Sequence, residues 1–136
     1  MATRTILGTK AQDGETFTYT ATFLQEDGAT PVDFTDAVGA GTDVVASLYR
    51  NDTKAAINSR NAQAVITTGA SVQAQWAGSA AGVLTFKGIA ADTTLAGSSD
   101  IIVVLRVNVS YQDAATVTRT GIHEVTFTVE PLDTVV

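Results

Sequence analysis

His123 is the only histidine in this 136-residue chain, and cysteine is absent. Nucleophilic catalysis needs a nucleophile, a base and an orienting acid brought together, and the residue spacing around His123 supplies no such set. Its neighbour Glu124 points across the pleat, whereas His123 shares a strand face with Val125 and Phe127. That placement predicts a satisfied, partly buried histidine at the edge of a core. Glu26, Asp27, Asp33 and Asp36 could offer oxygen ligands to calcium. They lack the Asp-x-Asp-x-Asp-Gly spacing of a dedicated loop, which predicts solvated turn carboxylates. Gly39-Ala40-Gly41 has neither the third glycine nor the strand-to-helix setting of a nucleotide site, and reads as loop. No catalytic, cofactor-binding or metal-ligating residue is expected, and the chain is expected not to be an enzyme.

The remaining candidates suit contact. Tryptophan and tyrosine dominate interface hot spots, so Trp76 and Tyr111 are candidate anchors wherever their rings reach solvent. A lone tryptophan in a sandwich is usually core, and the small, polar flanks Gln73-Ala74-Gln75 and Ala77-Gly78-Ser79-Ala80 leave both placements open for Trp76. Thr16, Thr18, Thr20 and Thr22 form a third candidate surface, flat and nearly uncharged. Exposed strand edges of this kind invite pairing, so part of it is expected to be covered in the working assembly. The sequons at Asn51 and Asn108 read as chance, since the second falls mid-strand.

Strands must position these residues, because two-residue alternation is the dominant pattern. Phe17, Tyr19, Ala21 and Phe23 fall opposite the four threonines. The turn Gln25–Pro31, with its Asp-Gly and proline, follows. Val44, Ala46 and Leu48 alternate with Val45, Ser47 and Tyr49, and Lys54 to Gln63 shows no clear period. Short strands are expected at Val65–Thr67 and Ser71–Trp76, and a further one at Val83–Ile89. One short turn is allowed within Ala90–Leu95. The clearest unit is a hairpin: Ile101, Val103, Leu105, Val107, Val109 and Tyr111 share a face, Gln112–Ala115 is the tip, and a return strand runs to Val129 before Pro131. About seven strands with turns every ~8–12 residues predict a β-sandwich, with a closed barrel as the rival.

Composition narrows the function. The net charge of −6 and eight scattered Lys and Arg residues oppose nucleic-acid binding, which needs a basic footprint. Apolar residues make up 45% of the chain, enough for one sizeable core, while 16% charged residues leave much of the surface neutral. No apolar run approaches a signal peptide or a membrane span, so no membrane partner and an untargeted, cytoplasmically made protein are expected.

In chain order, the aromatic strand is followed by Asp27-Gly28-Ala29-Thr30-Pro31-Val32-Asp33-Phe34-Thr35-Asp36-Ala37, then Leu48-Tyr49-Arg50 and Gly82-Val83-Leu84-Thr85-Phe86. Asp92-Thr93, Ala96-Gly97 and Val125-Thr126-Phe127-Thr128-Val129 complete the series. Over residues 15–131 this punctuation resembles the immunoglobulin-like domains of tailed-phage structural proteins, such as the N-terminal domain of baseplate upper proteins. The resemblance implies an immunoglobulin-like antiparallel sandwich with no catalytic residues to carry over. It also implies a place in the virion among capsid or tail subunits, as a homo-oligomer or symmetric array. With no fibre or receptor module after residue 136, a capsid decoration or cement protein is expected first, and a neck, tail or baseplate component next. A host-surface or carbohydrate-binding module is the further alternative. Residues 1–14 are expected to be an arm that adds a strand to a partner or to its own sheet, residues 15–131 the sandwich, and residues 132–136 a tail.

Overall fold

The computed structural model describes residues 2–12 by their backbone and residues 16–36, 42–94, 99–113 and 117–130 in full. The loop Gly39-Ala40-Gly41, the hairpin tip Ala114-Ala115, and Pro131 with the tail after it lie outside the described residues, as does Ala96-Gly97. Among the described residues there are nine strands: β1 (Ala2–Gln12), β2 (Phe17–Thr22), β3 (Asp43–Arg50), β4 (Gln63–Thr67), β5 (Ala70–Ser71), β6 (Trp76–Gly78), β7 (Val83–Gly88), β8 (Ile101–Gln112) and β9 (Thr118–Glu130). One turn of 3-10 helix, Ala90–Asp92, lies where a short turn was allowed.

The strands form two sheets, ordered β1-β9-β8-β3-β4-β5 and β2-β7-β6, packed as a sandwich. This strand order follows that of an immunoglobulin-like sandwich of the variable type, in which extra strands, here β4 and β5, extend the larger sheet. Every pairing is antiparallel except that of β1, which runs parallel to β9 from Ala2↔Ile122 to Gln12↔Glu130, with one register shift between Ile6 and Lys10. Of the two destinations expected for the N-terminal residues, a partner or their own sheet, the backbone takes the second.

Alternation decides which residues meet between the sheets. β8 turns Ile101, Val103, Leu105, Val107, Val109 and Tyr111 inward, where all are buried. β3 contributes Val44, Ala46 and Leu48, β7 contributes Leu84 and Phe86, and β9 contributes Val125, Phe127 and Val129. Val104 is also buried although it faces outward, because its cross-strand neighbours Tyr49 and Thr126 flank it. Among the core aromatics, Phe86 stacks on Trp76 at 4.5 Å between centroids and meets Phe17 edge-on at 5.5 Å.

Gly82 links the turn after β6 to β7. Its φ of +82° is left-handed, and a Cβ there would stand 2.5 Å from the Phe23 carbonyl oxygen. The substitution Gly82→Ala therefore combines backbone strain with a clash against main chain. It is expected to lower the unfolding free energy by more than about 1 kcal/mol, measured by urea denaturation; an unchanged midpoint would contradict the packing described.

Candidate functional site

The two aromatic candidates lie in the core. Trp76 is 3% exposed and Tyr111 is 6% exposed. Trp76 sits on β6, where alternation turns its ring inward onto Phe86 and towards Tyr19. Tyr111 ends the inward row of β8, and its hydroxyl accepts the Glu26 backbone N–H at 3.1 Å. Both rings are buried, so the condition for either to serve as an interface anchor, a ring that reaches solvent, is not met in this chain.

The threonine row lies where the alternation put it. Thr16, Thr18, Thr20 and Thr22 are all exposed, while Tyr19 between them is buried. In register beside them on β7 come Lys87, Thr85 and Val83, and Ala77 of β6 follows opposite Thr85. The outer face of the small sheet is thus short side chains with a single cation. Threonine has few χ1 states, so this face is also stiff.

His123 occupies the predicted core edge. The Tyr19 hydroxyl and His123 Nδ1 are hydrogen-bonded at 2.7 Å. Burial raises the tyrosine pKa, so the phenol keeps its proton. Burial also lowers the pKa of His123. Burial thus favours the neutral imidazole, which lies beside the rings of Tyr19 and Phe23.

The acidic group disperses into turns. Asp27 accepts the Ala29 N–H at 2.9 Å, the Thr30 N–H at 2.8 Å and the Thr30 hydroxyl, and these bonds hold its pKa below the ordinary carboxylate value. Asp33 accepts the Thr35 N–H at 2.9 Å and its hydroxyl at 2.6 Å. Among the described residues, no three His, Asp or Glu side chains converge on a metal-sized site. Asn108 lies mid-strand in β8 with its amide oxygen buried.

A buried ion pair, absent from the residue pattern, lies between two irregular segments. Arg60, in the aperiodic stretch before β4, meets Asp92, in the turn after β7, through Nε to Oδ1 and through Nη2 to Oδ2 at 3.2 Å. Asp92 also accepts the Ile89 N–H at 2.8 Å and the Asn58 amide at 3.0 Å, while the guanidinium lies over the Phe86 ring at 5.0 Å. A lone arginine within a small, polar loop was the one available signal, but it does not reveal a partner 32 residues away.

A small cavity of about 120 Å³ lies between the end of β2 (Thr22, Phe23) and the β8–β9 hairpin (Tyr111, Ile122, His123). No protein-family model, curated protein or solved structure matches this chain.

Two outcomes follow from these contacts. Asp92→Ala strands a buried guanidinium and is expected to lower stability by about 3–5 kcal/mol, whereas Arg60→Met with Asp92→Leu recovers most of that loss. Urea unfolding of both variants checks this, and equal losses would contradict it. For His123, the unfolded state takes up a proton before the folded state does. Stability is then complete above the ordinary histidine pKa of 6.5 and falls as pH drops below it. His123→Gln should flatten the part of the acid limb just below pH 6.5 in thermal melts, and an unchanged slope there would contradict the assignment.

Proposed function

We propose that this domain is a non-enzymatic structural subunit of a tailed-phage particle, working through protein–protein contact and placed as a capsid decoration or cement protein. The observation that carries the assembly reading is β2, an uncharged strand at the edge of the small sheet whose exposed face is a row of threonines. A surface of small, stiff, neutral side chains loses little entropy and little charge hydration when another protein covers it. The phage setting rests on the turn-and-strand resemblance over residues 15–131. A neck, tail or baseplate position draws on the same surface and the same resemblance. The host-surface or carbohydrate-binding alternative relied on Trp76 or Tyr111 as a stacking platform, and both rings are inside the core.

Immunogold labelling of purified particles with an antibody to this chain tests the reading. Regular labelling at symmetry-related positions is expected. Abundant chain in infected cells with none on purified particles would contradict it.

A further inference from the structure

The hydrogen bonds of the small sheet fix which way each peptide group of β2 points. On β7, the Val83 carbonyl accepts from Ser79 and the Lys87 N–H donates to Gln75, each at 2.9 Å, so these residues face β6. The Gly82 carbonyl accepts the Phe23 N–H at 2.8 Å on the opposite side. Peptide groups alternate sides along a strand, so Leu84, Phe86 and Gly88 face β2. Their partners in register, Ala21, Tyr19 and Phe17, make the ladder. Thr18, Thr20 and Thr22 therefore direct their N–H and C=O groups off the edge, where no described strand pairs with them.

Two further observations concern the same edge. Phe17, Ala21 and Phe23 point into the sandwich yet are only partly buried, unlike Leu84 and Phe86 on the adjacent strand, and the small cavity lies beside Phe23. From Thr16 to Leu24 there is no charge and no proline. Monomeric proteins commonly protect an edge with lysine, proline or a bulge. β2 has neither of those residues, and its six-residue pairing with β7 runs without a register shift.

We propose that two copies of this chain join through β2, antiparallel, about a two-fold axis at Thr20. This uses the open edge of the strand whose threonine face is described above, and rests on the assembly reading. In that register Thr20 meets the partner's Thr20, and Thr18 meets the partner's Thr22. These are the residues with outward peptide groups, so the pairing forms about six main-chain hydrogen bonds. Phe17 falls opposite the partner's Phe23, which covers the aromatic edges left partly open in one protomer. A two-fold pair sets equivalent positions near each other, so any charge near its axis meets its own sign. Two chains of net charge −6 repel in general. They can approach along a strand that carries no charge.

Sedimentation velocity over a concentration series tests the pairing, with three variants. Thr20→Pro removes an outward N–H while leaving the β2–β7 ladder intact. Thr20→Lys keeps the N–H and sets like charges face to face. Thr85→Lys adds the same charge on the same face, one strand inward from the edge. The wild-type chain and Thr85→Lys are expected to dimerise with rising concentration. Both Thr20 variants are expected to weaken dimerisation at least tenfold while keeping the wild-type circular dichroism. Should the proline variant fail to fold, the lysine variant decides. A wild-type chain that stays monomeric, or a dimer indifferent to Thr20→Lys, overturns the proposal. A monomer that still labels purified particles overturns self-pairing alone, and a Thr20-dependent dimer absent from particles overturns the virion reading alone.

Discussion

Arg60 and Asp92 lie inside the domain at 7% and 0% exposure, and each can be there because the other is. The pair joins the loop before β4 to the turn after β7, and so ties the large sheet to a connection leaving the small one. Its influence passes on through rings. The guanidinium lies over Phe86, Phe86 stacks on Trp76, and the edge of Phe86 meets Phe17 at the start of β2. Phe17 in turn fills the space above Gly88, where even a Cβ would stand 2.3 Å from its ring. The charge pair, the ring stack and the orientation of β2 form one connected set of contacts. Buried ion pairs add little net stability over an apolar equivalent. This pair instead holds two irregular segments in a single arrangement.

Once β2 is oriented by its inward rings, its other side follows without further choice. The pleat sends the threonine side chains to solvent, and the alternation of peptide groups sends the same residues' N–H and C=O off the edge. The stiff surface and the hydrogen-bonding row that no described strand pairs with are thus two consequences of one register. Nothing catalytic is required of such a strand. Its chemistry is that of another strand.

Half-buried strands were the legible part of the sequence. Phe17 to Phe23 and Ile101 to Tyr111 alternate because one face meets the core and the other meets water, and composition records that contrast directly. β5 and β6 are two and three residues long, too short for a period to show in their residue types, so the flanks of Trp76 leave both placements open. The parallel pairing of β1 was open because parallel partners need no hairpin, and here Ala2 pairs with Ile122. The Arg60–Asp92 pair was hidden for a related reason. Its partners come from two aperiodic segments, and only the packed sandwich brings them together. The threonine row was the one candidate surface visible from sequence, because exposure of a strand face is local information.

Amide hydrogen exchange along β2, resolved residue by residue, separates an assembling edge from an idle one. In the isolated protomer, Phe17, Tyr19 and Ala21 are bonded to β7 and should be protected, while Thr18, Thr20 and Thr22 exchange rapidly. On assembly the three threonine amides should slow to the rate of their neighbours. Threonine amides that remain fast in the assembled state would contradict pairing through this edge.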